Sequence, residues 1–154
     1  MGGWNNAVRT NDVWSFDGSI WSQVTASAPW SARSSLAGVV YDNKIYIMGG
    51  YNGTNFNDVW ESGDGSNWLE GNYSNIWSSR RLLTAVVYSN KIYIMGGYDG
   101  SSFNDVWSWE LCEESTPMRP PSKLAETTKA AVVGGWVTLH AIMLAAMALV
   151  RVNV

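Results

Sequence analysis

One block of sequence recurs in this chain at a spacing of 47 residues. Lys44-Ile45-Tyr46-Ile47-Met48-Gly49-Gly50-Tyr51 returns as Lys91-Ile92-Tyr93-Ile94-Met95-Gly96-Gly97-Tyr98. Asn57-Asp58-Val59-Trp60 returns as Asn104-Asp105-Val106-Trp107, and Asn11-Asp12-Val13-Trp14 precedes both. A fixed period of roughly 20–50 residues marks an array of one supersecondary unit, in which each copy buries its apolar face against the next. Tryptophan keeps the same beat, as Trp14, Trp60 and Trp107, Trp21 and Trp68, and Trp30 and Trp77. Most of the ten tryptophans are therefore read as repeat architecture, not ligand chemistry.

Each copy reads as four short strands. Residues 35–41 and 44–48 are β-rich runs separated by Asp42-Asn43, a two-residue hairpin turn. Gly49-Gly50 frees the backbone to turn after the second run. The third run is 56–60, Gly63-Asp64-Gly65 is a turn, and the fourth run starts near Trp68. The next copy repeats this as 84–88, 91–95 and 103–107. Ile-Tyr-Ile-Met is apolar at every position, which predicts a strand buried on both faces, as in a sheet held between two others.

These features resemble the kelch repeat over residues 1–109. The matching elements are Val39-Val40 and Val86-Val87 before a hairpin, the two Ile-Tyr-Ile-Met-Gly-Gly strands, and the Asn-Asp-Val-Trp strands. Trp21 and Trp68 match at the fourth strand, and Arg33 and Arg80 match the arginine ahead of the first. The resemblance implies a mainly β chain of four-stranded antiparallel blades of a β-propeller. Blades are expected at 31–68 and 78–109, with a partial blade at 1–24, all within a repeat region of 1–110. The chain opens in the middle of a blade, because Met1-Gly2-Gly3-Trp4 aligns with Met48-Gly49-Gly50-Tyr51. Propellers use typically four to eight blades, so this set is an incomplete propeller. It reads either as a fragment or as an open stack completed by a second chain, and both leave strand edges exposed.

Composition changes after the repeats. Residues 111–129 are polar and proline-rich and read as a linker. Residues 130–150 follow, 21 positions without a formal charge, enough as a helix of ~1.5 Å rise per residue to cross a bilayer core. A single-pass transmembrane helix is expected there, with a short tail at 151–154; a helix packed on the blades and a cleaved lipid-anchor signal are the alternatives. The pairs Ala131/Gly135 and Ala141/Ala145 permit close helix packing and hence self-association. Arg119, Lys123 and Lys129 precede the span, and Arg151 follows it. That bias puts the repeats in the cytoplasm, whereas a signal peptide on a missing N-terminal part would put them outside, so the side stays open. The sequons at Asn52 and Asn72 do not decide it.

Several chemistries are disfavoured. A net charge of -3, with six Lys/Arg against ten Asp/Glu in 1–110, offers no basic stripe for nucleic acid. Cys112 is the sole cysteine, so no internal disulfide forms, and His140 is the sole histidine. One of each, far apart, makes neither a metal site nor a nucleophile–base pair, and no cofactor is expected. Galactose-oxidase-like enzymes share the kelch-type propeller and use copper held by His, Tyr and Cys, but the histidines are missing here. Asp12, Asp58 and Asp105 sit on different blades and are expected to hydrogen-bond backbone, not to act as an acid/base pair.

Binding is the remaining class. In an up-and-down meander the loops 50–55 and 97–102 and the inter-blade connections 25–34 and 71–81 lie at one end. That end gathers Trp30, Arg33, Tyr51, Asn52, Trp77, Arg80, Tyr98 and Asp99, types enriched in binding hot spots or placed beside them. The resemblance agrees, since kelch-like propellers use this face for partners. Arg33 and Arg80 are equally suited to pinning neighbouring blades. The reading is a membrane-anchored, non-enzymatic module that recognises a protein or a glycan. A non-functional or truncated fragment of a longer propeller protein is the first alternative, and a galactose-oxidase-like enzyme the second.

Overall fold

The computed structural model describes residues 1–72, 77–110 and 122–123. The helix expected at 130–150, the tail, and the linker apart from 122–123 lie outside the described residues. Among the described residues no helix is long and apolar enough to cross a membrane. The regular elements are strands, paired antiparallel throughout.

A hairpin of β1 (Gly3–Asn5) and β2 (Val8–Thr10) opens the chain, and β3 (Val13–Phe16) pairs with β4 (Trp21–Thr25). A four-stranded sheet follows in chain order: β5 (Ala37–Tyr41), β6 (Lys44–Met48), β7 (Val59–Ser62) and β8 (Leu69–Glu70). The last sheet is β9 (Thr84–Tyr88), β10 (Lys91–Met95), β11 (Val106–Trp109) and β12 (Ser122–Lys123). β12 lies in the stretch that composition marks as linker, and its two residues pair with Trp107 and Ser108. The kelch-like blades are thus present as two four-stranded sheets and a partial one.

Turn chemistry sets the register. Asp42 and Asn43 both take positive φ, at 46° and 56°, as do Ser89 and Asn90 at 46° and 58°. Two left-handed residues in succession form the hairpin turn whose twist suits antiparallel strands. The second strands then align with the third so that Ile47 faces Trp60 and Ile94 faces Trp107. The third strands begin later than the apolar pattern predicts, at Val59 and not at Phe56, because residues 56–58 are bound to the blade junction.

The all-apolar second strand is buried on both sides, as expected. Alternation sends Tyr46 and Met48 of β6 into one cluster with Leu83, Ile92, Ile94 and Trp109 of the next blade. Ile45 and Ile47 join the other cluster, with Val13, Ala28, Trp30 and Trp68. Complete burial of a side chain such as Ile47 or Met48 contributes roughly 1.5–3 kcal/mol. The middle sheet therefore depends on both neighbours for its core. Edge-to-face pairs close both clusters, Tyr46 with Trp109 at 5.8 Å and Trp30 with Trp68 at 6.1 Å.

The same backbone junction is made twice. Gly3 donates its N–H to Arg33 carbonyl at 2.9 Å, and Gly50 donates to Arg80 carbonyl at 3.0 Å. Close approach requires glycine here. A Cβ on Gly49, at φ +63°, would lie 2.8 Å from the Arg80 carbonyl oxygen, whereas one on Gly65, at φ +76°, would meet only ordinary contacts. Gly65→Ala should therefore cost the left-handed strain alone, about 1–2 kcal/mol. Gly49→Ala should cost clearly more by pushing two blades apart; urea midpoints of the two variants against the parent chain measure the difference.

Candidate functional site

Each four-stranded blade is tied to the connection that leads into it by a buried guanidinium. Arg33 donates to both carboxylate oxygens of Asp58, the Nη2–Oδ2 distance being 2.7 Å, and to the carbonyls of Ser31 and Gly49. Its guanidinium carbon lies 3.9 Å from the Phe56 ring centre. Arg80 repeats the arrangement with Asp105, Ser78 carbonyl, Gly96 carbonyl and the Phe103 ring at 3.8 Å. The planar fork matches a carboxylate with two parallel bonds, and its flat face stacks on the ring. The carboxylate is shared, since the Trp60 indole N–H donates to Asp58 at 2.9 Å and that of Trp107 to Asp105 at 2.8 Å. Trp14 donates likewise to Asp12 at 2.7 Å.

This corrects the expectation that the repeated aspartates chiefly bond backbone: the main partners are side chains, Arg and Trp for Asp58 and Asp105, and Trp14 for Asp12. It also explains the Asn-Asp-Val-Trp motif. Asn57 Nδ2 donates to the Trp77 carbonyl, as Asn11 Nδ2 does to Ala28 and Trp30 carbonyls. Asp58 and Asp105 each take an arginine and an indole, Asp12 takes an indole, and Val13 and Val59 enter the core.

The eight residues read as a binding set divide in two. Trp30, Arg33, Trp77 and Arg80 are buried within the stack. Trp30 and Trp77 pack in the two core clusters, and Arg33 and Arg80 are the pins just described. Tyr51 and Tyr98 are half-buried, and Asn52 and Asp99 are exposed. Tyr51 is tied to Ser34 by two backbone bonds of 2.9 and 3.0 Å, and Tyr98 to Arg81 by bonds of 2.8 and 3.0 Å. Asn52 Oδ1 accepts from Thr54 N–H, and Asp99 Oδ1 from Ser101 N–H, which shapes the two loop tips.

Two cations complete this end. Arg81 lies 4.3 Å from the Tyr51 ring centre and 5.0 Å from that of Tyr98. Arg9 lies 4.5 Å from Trp4 and 4.9 Å from Tyr51. The result is a continuous row, Trp4–Arg9–Tyr51–Arg81–Tyr98, crossing the loop ends of three successive repeats. Arg81 also donates to Asn55 Oδ1 at 3.2 Å, and Asn55 Nδ2 reaches the Asp99 carbonyl. Among the described residues, the ion pairs are Arg33–Asp58, Lys44–Glu61, Arg80–Asp105 and Lys91–Glu110, so neither Arg9 nor Arg81 faces a carboxylate. The repeat pattern points to Tyr51 and Tyr98 but not to Arg9, which sits in the irregular β1–β2 hairpin and has no counterpart in the other copies.

The opposite end offers less. A shallow groove there is lined by Lys44, Glu61, Asp64 and Asn67. Lys44 is paired with Glu61, and Asp64 accepts from Ser66 and Asn67 N–H. Those bonds, from Asn67 first, hold the Asp64 carboxyl well below the usual carboxylate range. Among the described residues no cluster of His, Cys, Asp or Glu is built to hold a metal ion.

Antiparallel sheets stacked face to face, each tied to the connection that leads into it by a buried Arg–Asp pair, define a blade-repeat protein. The blades are kelch repeats: residues 32–61 and 79–115 match the family described as Kelch motif. A 49-residue stretch is also 43% identical to a Kelch domain-containing protein of Saccharolobus solfataricus. That match covers 32% of this chain and 6% of the relative, so the chain spans a small part of that protein's length.

The Arg80–Asp105 pair has a pH signature. Hydrogen bonds from Arg80, then Trp107, hold Asp105 below the ordinary aspartate range, with burial opposing. A carboxylate depressed on folding contributes stability that is present above the unfolded value of about 3.9 and lost as pH falls through the lower folded value. The advantage of the parent chain over Asp105→Asn should therefore be full from about pH 5 to 7 and shrink below about pH 4. Arg80→Lys, which keeps the charge and loses the fork, should cost about 3 kcal/mol at pH 7. Urea unfolding across this pH range checks both.

Proposed function

We propose that this chain is a non-enzymatic, protein-binding module that docks its partner on the loop end of the blades and is held at a membrane by residues 130–150. The observation that carries the docking face is the Trp4–Arg9–Tyr51–Arg81–Tyr98 row. Trp4 is exposed and the other four residues are half-buried, the row spans three repeats, and its two guanidinium groups are left without carboxylates among the described residues. Arginine has only donors, so the row calls for a partner segment rich in acceptors. Aromatics and arginine held rigid by neighbouring packing lose little entropy when they bind. Tyr51 and Asn52 on one loop and Tyr98 and Asp99 on the next serve as contacts. Trp30, Arg33, Trp77 and Arg80 support them from beneath. Presence of kelch repeats supports the protein-binding reading.

A glycan is the weaker occupant, because sugar recognition wants open ring faces. Tyr51 already carries two guanidinium groups within 5 Å of its ring centre. For the membrane tether, the support is the uncharged run at 130–150, long enough as a helix to span the bilayer core. The side on which the repeats lie is not assigned.

A photo-crosslinking amino acid at Asn52 should capture a discrete protein partner in cells, and the same residue at Ser89, on the opposite end, should not. Capture should fall at least tenfold with Arg81→Ala. Equal capture from both positions, or capture indifferent to Arg81, would reject the docking face; adducts removed by glycosidase treatment would favour a glycan. For the tether, the full chain should stay with the membrane pellet through an alkaline carbonate wash, and its release to the supernatant would reject a span.

A further inference from the structure

Two loop tips in this chain have the same shape and differ in one chemical group. Each is closed by an isolated bridge, Tyr51 with Asn55 and Tyr98 with Ser102. The turn glycine takes φ 128° at Gly53 and 136° at Gly100. The residue before it accepts through Oδ1 from the N–H two places on, Asn52 from Thr54 at 3.3 Å and Asp99 from Ser101 at 3.0 Å. Its own N–H donates to the carbonyl of that same residue, at 3.2 Å in both copies. What differs is an amide at Asn52 and a carboxylate at Asp99.

Asn52-Gly53 is the one Asn-Gly pair in the chain. The side-chain carbonyl carbon of an asparagine is open to attack by the backbone nitrogen of the next residue, and three features favour that attack here. The nucleophile is unhindered: a Cβ on Gly53 would meet nothing within 4 Å, and its N–H donates to no group among the described residues. The electrophile is polarised. Thr54 N–H and Thr54 Oγ1–H both donate to Asn52 Oδ1, at 3.3 and 3.2 Å, so two donors stand where an oxyanion develops. The leaving group is free, since Asn52 Nδ2 has no partner among the described residues and residues 52–54 are exposed to water.

We propose that Asn52 is a self-modification site, where the turn itself converts the asparagine to aspartate or isoaspartate. The Gly53 nitrogen gives its proton to water and bonds to Cγ of Asn52. The oxyanion at Oδ1 then collapses, the Cγ–Nδ2 bond breaks, and the nitrogen leaves as ammonia, closing a cyclic imide. Water opens either carbonyl of that imide, so that one water is consumed and one ammonia released. The fold tolerates the aspartate product, because Asp99 already occupies the same turn with the same bonds. The new carboxylate stands on the residue next to Tyr51, whose ring Arg9 and Arg81 flank. It offers those guanidinium groups a charge from their own chain and so weakens their hold on an acceptor-rich partner. The charge effect rests on the docking face proposed above, whereas the modification does not.

Incubation of the purified full chain in mild detergent, followed by peptide mass spectrometry, reads the conversion as NH exchanged for O at Asn52. Asn52 should convert progressively, and faster as pH rises, because the attacking nitrogen must lose its proton. Asn67 is also exposed but precedes Trp68 and is bound through Nδ2 to Asp64, so it should stay intact. Thr54→Val removes one donor to the oxyanion and should slow conversion severalfold without moving the urea midpoint. Asn52→Asp should keep the parent's midpoint too. An Asn52 that stays intact in the folded chain yet converts in urea would overturn the proposal, since the turn would then protect the amide. A rate indifferent to Thr54→Val would do the same. For the charge effect, a photo-crosslinking amino acid at Ser101 should capture severalfold less partner from the Asn52→Asp chain than from the parent. Equal capture rejects the charge effect. Absence of capture from both chains rejects the docking face and the charge effect together, while the modification is still decided by mass.

Discussion

Everything in this fold depends on how the connection between blades is fastened, and its arginine does this twice, the backbone bonding the preceding repeat and the buried guanidinium bonding the blade that follows. Arg33 and Arg80 each leave water almost completely, which is tolerable only because a carboxylate, two carbonyls and an aromatic ring receive them. A buried pair of this sort is weak evidence of net stability, since desolvation offsets much of the attraction. What it supplies is geometry. The arginine comes from the connection between blades, the aspartate from just ahead of the third strand, and one carbonyl from the end of the second strand. All three must be in register before the bonds form. An apolar contact between the same segments would tolerate sliding; a bidentate fork does not.

That fastening also shapes the accessible end of the molecule. The residue after each pin lies at the surface, so Ser34 and Arg81 occupy the same place beside Tyr51 and Tyr98. In one junction that place is a serine, and in the next it is an arginine bridging two tyrosines. The repeat supplies a rigid frame, and single departures from it supply the chemistry. Arg9 is a second departure, carried on the β1–β2 hairpin where the other copies have only a loop closed by an isolated bridge. Function in a repeat array is expected at such places, because residues shared by every copy are held by packing demands.

Much of this was legible in the chain itself. The period gave the units, the Asp-Asn and Ser-Asn turns gave the hairpins, and the unbroken apolar run of the second strand gave its burial on both faces. The third strand was read three residues too early in both copies. Phe56 looks like a strand residue by propensity, but its ring is taken by the Arg33 guanidinium. The binding set was half legible for the same reason. Trp30, Arg33, Trp77 and Arg80 are residue types that suit a binding surface, and nothing in their spacing says that a neighbouring blade covers them.

The sequence alone determined the identity of the repeating unit and its hairpin register, because these follow from local turn geometry and a period that any copy displays. Tertiary structure alone decided which aromatics and arginines face solvent, that Asp58 and Asp105 serve Arg and Trp, and that five residues from three repeats form one cation–aromatic row. The reason is that burial belongs to pairs of blades, not to one. The same Tyr-x-Met strand is sealed in the middle blade, at Tyr46 and Met48, and only half-buried at Tyr93 and Met95, where among the described residues no further blade is packed against it.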